Sequence, residues 1–300
     1  MSAVGFIGTG AIGRPMALRL VAAGHEVVVF DRATSAVEAV IDAGATRGRS
    51  VREVAEACRI VFSSLPGPSH LIEVVTGAGG LLEGASSGDI HVDLSTISPS
   101  VASEVSDAER SAGVAFIESP VSGGVAAATT GTLTALVSGE RDPFQVALPY
   151  LGAFSQRVIY LGDQPGQGSV AKLVNNAVFL AATLAFQEGL VLAAKNGLEP
   201  LALYDALRSC SARPYLAVAP LVLGRTFDDA SFKVGLAAKD LALAAEVAAE
   251  CDVDAPLFDA AAGIYAAAAA ADPDLAFFST IRELESRAGI SISSAEVEKR

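Results

Sequence analysis

The stretch Val4-Gly5-Phe6-Ile7-Gly8-Thr9-Gly10-Ala11-Ile12-Gly13 decides how this chain is read. An apolar run of strand type enters three glycines spaced GxGxxG, and the next apolar run, Val27 to Phe30, is closed by Asp31. Strand, glycine turn, helix, strand and terminal acid in that register predict a dinucleotide site. Gly8 permits the tight turn out of the strand, Gly10 lets the backbone approach a pyrophosphate, and Gly13 lets the first helix lie close to the sheet. The helix N-terminus then offers unpaired N–H groups to phosphate, so Gly8, Thr9, Gly10, Ala11, Ile12 and Gly13 form the expected cofactor cradle. Asp31 is placed to accept from a ribose diol and to repel a 2′-phosphate, which points to NAD. Arg32 beside it could turn to such a phosphate and keeps NADP as the alternative. A bare GxGxxG also marks ordinary glycine-rich turns; the register of the flanking elements sets this one apart.

Outward from that unit the pattern continues in α/β order. Ile12 to Ala23 reads as a helix ended by Gly24, and Glu26 to Phe30 as the second strand. Ser50 and Glu53 have capping-box spacing, which predicts a short helix before a strand at Arg59 to Ser63. Leu65-Pro66-Gly67-Pro68 interrupts regular structure at a strand's carboxyl end, the ligand side of an open sheet, so Leu65 and Pro66 join the expected cofactor contacts. Further strands are expected at Asp89 to Leu94, Ala115 to Glu118, Leu133 to Val137 and Val158 to Tyr160. A linker-like run, Gly162 to Gly168, follows. Beyond it helical segments dominate: Ser169 to Asn196, Pro200 to Leu207, Arg213 to Leu223, Leu236 to Glu250, Pro256 to Ala271 and Phe278 to Glu285. The expected architecture is an α/β, Rossmann-like dinucleotide-binding domain over residues 1–163 and an all-helical second domain over 164–300.

With 51% hydrophobic residues in a chain of 300, a large core is available and disorder is excluded. Lys and Arg are expected to interrupt the apolar segments too often for a bilayer span, and the first apolar run is already the first strand rather than a leader. A cytoplasmic protein without a membrane partner is therefore expected. A formal charge of -13 argues against nucleic acid, whose backbone needs concentrated positive charge. Cys58, Cys210 and Cys251, like His25, His70 and His91, are scattered without CxxC or other ligand spacing, so no metal is expected.

Lys172 and Asn176 stand four apart in the helix predicted after the linker and share one face, with Asn175 alongside. They suit a solvated first turn. They equally suit a lysine that transfers a proton and an asparagine that orients a substrate, brought beside a nicotinamide by the linker.

GFIGTGAIGRPMALRL from Gly5, DLSTISP from Asp93, ESPVSGG from Glu118, GQGSVAKLVNN from Gly166 and KDL from Lys239 resemble, in order, the signatures of the beta-hydroxyacid dehydrogenase family, which includes 3-hydroxyisobutyrate dehydrogenases and tartronate semialdehyde reductases. The resemblance implies a Rossmann-like domain joined to a helical one. It also implies reversible hydride transfer between a nicotinamide cofactor and a short beta-hydroxyacid, such as 3-hydroxyisobutyrate, or its semialdehyde. By the same resemblance Lys172 is the proton-transfer residue, Ser122, Gly123 and Gly124 hold the substrate carboxylate, and Asn176 is a polar substrate contact. Lys239 and Asp240 are the downstream pair near the active site, both against the cofactor and Lys239 also against the substrate, and Thr96 lies on the cofactor side. A homodimer or homotetramer is expected. Thr9, Ile12 and Arg19 depart from the family's usual Leu, Met and Asn; the first two leave the glycine geometry intact, and Arg19 lies within the helix rather than at its phosphate-binding end. An imine reductase on the same scaffold commonly carries another residue at the lysine position, and a non-catalytic dinucleotide-binding module would be expected to lose it; Lys172 argues against both.

Overall fold

The computed structural model describes residues 3–228 and 231–292. The chain divides into two compact units, Met1–Lys172 and Leu173–Arg300. The extreme ends of the two expected domain ranges, 1–2 and 293–300, lie outside the described residues.

In the first unit, β1 (Val4–Ile7), β2 (Val27–Phe30), β3 (Thr46–Arg47), β4 (Ile60–Ser63), β5 (Ile90–Asp93), β6 (Ala115–Glu118), β7 (Val121–Ser122), β8 (Leu133–Gly139) and β9 (Ser155–Gly162) form one sheet in the order β3-β2-β1-β4-β5-β6-β8-β7, with β9 beside β8. Strands β3 to β6 along that order are parallel, while β8 runs antiparallel to β6 and β7. Parallel strands are covered on both faces, which is why Val4–Ile7 and Ile60–Ser63 are buried at every position. The chain leaves β1 toward β2 on one side and returns to β4 on the other. Their carboxyl ends therefore flank the crevice in which such sheets bind ligands.

Local chemistry explains most boundaries. Pro15, Met16, Ala17 and Leu20 form the buried face of helix Gly13–Ala22, and Gly24 follows it at φ 86°, a left-handed value favouring glycine. The Ser50 hydroxyl accepts the Glu53 N–H at 3.1 Å and caps helix Val51–Ala57, as the spacing predicts. The reciprocal half of the capping box is missing, because the Glu53 carboxylate takes the Arg49 N–H instead.

The second unit is helical among the described residues, apart from an isolated bridge between Lys233 and Ala276. Its core gathers Leu173, Ala177, Leu180, Leu184 and Leu190 of the helix Gln167–Lys195 with Leu241, Tyr265 and Phe278. Two expected helices are divided. Arg213 to Leu223 becomes a 3₁₀ turn, Arg213–Tyr215, and a short helix, Ala219–Gly224, since Pro214 and Pro220 each suit a first turn and neither can sit inside a helix. Likewise a 3₁₀ turn, Phe277–Thr280, precedes helix Ile281–Ala288.

Helix Gln167–Lys195 corrects one expectation. Over its 29 residues it is long and apolar enough to cross a bilayer by length and composition, so charged residues do not interrupt every apolar segment. Its leucines recur at helical spacing on the face that enters the second unit's core, the pattern of a core helix.

Candidate functional site

The glycines of the N-terminal turn have separable reasons. Gly8 has φ 89°, and a Cβ there would stand 2.3 Å from the Ser64 carbonyl oxygen. At Gly13 a Cβ would stand 2.0 Å from the Gly8 carbonyl oxygen, so the tight approach lies within the turn rather than only between helix and sheet. Gly10 is exposed, and a Cβ on it would meet nothing within 4 Å. Its bareness leaves backbone open to a ligand at the start of the helix, although the helix end offers less than expected: the Arg14 N–H goes to the Gly10 carbonyl oxygen at 3.0 Å, Pro15 has no N–H, and the Thr9 N–H is taken by Asp31. Ala11 is exposed and Ile12 partly so, while Thr9 is buried. These residues fit a dinucleotide pyrophosphate.

Asp31 closes this cradle. Its Oδ2 accepts the Thr9 N–H at 2.7 Å and its Oδ1 accepts the Ala33 N–H at 2.8 Å. The acid therefore fixes the glycine turn, and each oxygen keeps further acceptor capacity. Arg32 is exposed and lies 3.5 Å from Glu73. On the β4 side, the Leu65 N–H donates to Ser95 Oγ at 2.9 Å, joining the Leu65–Pro66 loop to the segment that carries Thr96.

Ser122 ends β7, paired with Thr134 of β8. Gly123 and Gly124 follow at φ 133° and 70°, two successive backbones that side chains disfavour, and they open the helix Gly124–Thr130. Four residues before Ser122 lies Glu118, the end of an expected strand with no role of its own legible in the sequence. It has no exposure. Its Oε2 accepts from the N–H groups of Gly166 and Gly168 at 3.0 and 3.1 Å and from the Ser138 hydroxyl at 2.7 Å, while its Oε1 accepts the Ser169 N–H at 2.9 Å and the Ser169 hydroxyl. Burial pushes this carboxyl up, against the pull of the Ser169 and Ser138 hydroxyls and the Gly166 N–H. Fixed N–H groups aimed at both oxygens are the surroundings of the ionised form. Glu118 thus caps helix Gln167–Lys195 from another element, at the end where a negative charge is favoured. That cap lets the helix start at Gln167, inside the expected linker.

Lys172 lies in this helix at 9% exposure, so the solvated-turn alternative fails for it, as it does for Asn176 at 6%. Asn175 alone faces out. In the second unit the Asn176 side-chain N–H donates to Asp240 Oδ2 at 2.6 Å, and the Asn175 amide donates to Asn176 Oδ1 at 3.0 Å. Lys239 Nζ is 3.0 Å from Asp240 Oδ1, an ion pair rather than an aligned hydrogen bond. Asn176, Lys239 and Asp240 are therefore brought together, and Asp240 fixes which way the Asn176 amide points. Among the described residues no group of three His, Cys, Asp or Glu side chains could hold a metal ion.

Two family models cover the chain: the NAD binding domain of 6-phosphogluconate dehydrogenase over residues 3–162, and the NAD-binding domain of NADP-dependent 3-hydroxyisobutyrate dehydrogenase over residues 166–284. The chain is 34% identical to 2-(hydroxymethyl)glutarate dehydrogenase of Eubacterium barkeri, with 87% of each chain covered. It is 33% identical to 3-hydroxyisobutyrate dehydrogenase of Pseudomonas aeruginosa, over 91% of this chain and 94% of the relative. Among solved structures, the Mycobacterium tuberculosis 3-hydroxyisobutyrate dehydrogenase with L-serine superposes with a TM-score of 0.86 at 32% identity, covering 95% of this chain and 99% of that one.

Proposed function

This chain belongs to the beta-hydroxyacid dehydrogenase family as an NAD(P)-dependent oxidoreductase of small hydroxyacids, and on that premise we propose that it interconverts 3-hydroxyisobutyrate, or a close beta-hydroxyacid, with the corresponding semialdehyde. The turn Gly8–Gly13 would hold the pyrophosphate, with Asp31, Leu65, Pro66 and Thr96 along the rest of the dinucleotide. Bound there, a nicotinamide would supply the hydride acceptor for oxidation and the hydride donor for reduction.

The side chains of this chain manage the proton and the placement. In oxidation the neutral Lys172 amine takes the substrate hydroxyl proton; in reduction its ammonium gives a proton to the developing alkoxide. Ser122 and the backbone at Gly123 and Gly124 hold the carboxylate. Asn176 has given one side-chain hydrogen to Asp240 and keeps a second for the hydroxyl or carbonyl oxygen of the substrate. The observation that carries this reading is the burial of Lys172 four residues before an asparagine whose amide is locked by Asp240. A lysine held out of water without a catalytic or structural task would be costly.

Asp31 supports NAD as the preferred cofactor. Its charge repels a 2′-phosphate, and the exposed Arg32–Glu73 pair is too weakly held to decide the matter alone. The reading also includes a cytoplasmic enzyme that assembles as a homodimer or homotetramer, supported by the exposed apolar residues Val174, Val178 and Leu192 of one helix. Light scattering on the purified chain tests the assembly.

The deciding experiment is an initial-rate panel with both cofactors against 3-hydroxyisobutyrate, L-serine, glycerate, 2-(hydroxymethyl)glutarate and the amides of these acids. Expected are activity on acids, much weaker activity on amides, and higher kcat/KM with NAD. Equal efficiency on acids and amides removes the carboxylate clamp, and an advantage for NADP of about tenfold or more reverses the cofactor assignment.

A further inference from the structure

The first unit buries more ionisable side chains than this chemistry uses. His91 and Asp93 alternate on β5 and so share one face of the strand. Glu109 reaches them from the helix Pro99–Ser111, and Ser63 from the end of β4. All four have no exposure. His91 Nδ1 lies 2.6 Å from Glu109 Oε1, and His91 Nε2 lies 2.8 Å from Ser63 Oγ. Ser63 donates to Asp93 Oδ1 at 2.6 Å, and Ser95 donates to the same oxygen at 2.7 Å. Ser95 Oγ in turn accepts the Leu65 N–H at 2.9 Å.

Counting hydrogens orders this chain. The single Ser63 hydrogen goes to Asp93, so the hydrogen of the His91–Ser63 contact sits on Nε2. The short His91 Nδ1–Glu109 contact holds a further proton between the two, while burial pushes the Asp93 carboxyl up against the pull of His91 and of the Ser63 and Ser95 hydroxyls, and its Oδ2 has no hydrogen-bond partner. Burial opposes a charge on His91, but the charge and hydrogen bond of Glu109 together with the charge of Asp93 hold the imidazole above its ordinary value. Although serine, histidine and glutamate follow one another as in a hydrolase, Ser63 has no path to solvent and already gives its hydrogen to Asp93.

The chain of bonds ends beneath the dinucleotide turn. A Cβ on Gly8 would meet the Ser64 carbonyl oxygen at 2.3 Å and Leu65 Cδ2 at 3.3 Å, and one on Gly13 would meet Ser64 Cβ at 3.2 Å. Residues Ser64 and Leu65 are therefore the floor on which the turn rests. We propose that the buried chain running from Glu109 through His91, Ser63, Asp93 and Ser95 to the Leu65 N–H is a positioning device that sets this floor and thereby the affinity for the dinucleotide. It rests on the dinucleotide site and is independent of the role assigned to Lys172.

The test is the dissociation constant for NADH, by fluorescence titration of the full chain, with thermal midpoints alongside. Ser95→Ala cuts the last link and weakens NADH by about five- to tenfold, the loss of one hydrogen bond, with the midpoint shifted by no more than a few degrees. The paired change His91→Gln with Glu109→Gln keeps an N–H donor for Ser63 without stranding a buried carboxylate, and stays within about threefold. The paired change His91→Leu with Glu109→Leu removes that donor without stranding a buried charge, and matches the Ser95→Ala loss. Adding Ser95→Ala to the leucine pair weakens binding no further than the worse parent, because both interrupt one chain. Dissociation constants within about twofold of the parent for both Ser95→Ala and the leucine pair, or losses that multiply in the combination, overturn the proposal. Turnover of Lys172→Ala tests the proton-transfer reading separately.

Discussion

Lys172 lies near the start of the helix that Glu118 caps from β6. The lysine stands three residues after Ser169, whose N–H and hydroxyl are both held by the buried acid. Lys172→Ala should fold, bind dinucleotide as the parent does, and lose about 100-fold or more in turnover, since it removes proton transfer and no pyrophosphate contact. Steady-state rates beside an NADH titration check this, and activity within about threefold of the parent removes Lys172 from the role. Glu118→Gln points an amide group at backbone donors that cannot turn away, and should cost about 1–3 kcal/mol in chemical denaturation. The thiols behave differently from one another. Burial pushes Cys58 up to about 11, helped by the charge of Asp89, whereas Cys210 and Cys251 are exposed. A raised value keeps the Cys58 thiol protonated at pH 8, so alkylation followed by mass spectrometry should count two fast sites and a third only on unfolding.

At the scale of elements, the glycine turn separates folding from binding. Gly10→Ala meets nothing within 4 Å and its backbone has no left-handed strain, so the thermal midpoint should hold while NADH binding falls by about tenfold or more. Gly13→Ala drives a methyl to 2.0 Å from the Gly8 carbonyl oxygen and should destabilise the fold itself. If both variants lose stability equally, Gly10 is structural rather than a ligand approach. The strand β5 shows why periodicity alone misleads here. Ile90-His91-Val92-Asp93 is buried throughout like its apolar neighbours, yet both ring nitrogens of His91 and the Oδ1 of Asp93 find partners in Glu109, Ser63 and Ser95. Polar residues inside a buried parallel strand were the available signal, and their partners lay 28 and 18 positions away from His91.

At the scale of the molecule, dinucleotide at 100 times its dissociation constant should add about 2.7 kcal/mol to the unfolding transition that contains the first unit, a shift that calorimetry resolves. The sequence by itself determined the order of elements, the Rossmann-like strand pattern and the glycine turn, because these depend on neighbours a few positions apart and on residue types with strong backbone preferences. It also carried Lys172 and Asn176 as a pair, because helical spacing fixes a shared face. Only the tertiary structure decided that Glu118 caps a helix about 50 residues later, that Asp240 holds Asn176 across 64 positions, and that a buried chain from Glu109 ends under Gly8. Such bonds join groups whose separation along the chain has no period. Their geometry exists only once burial has removed water and brought distant polar groups within reach of one another.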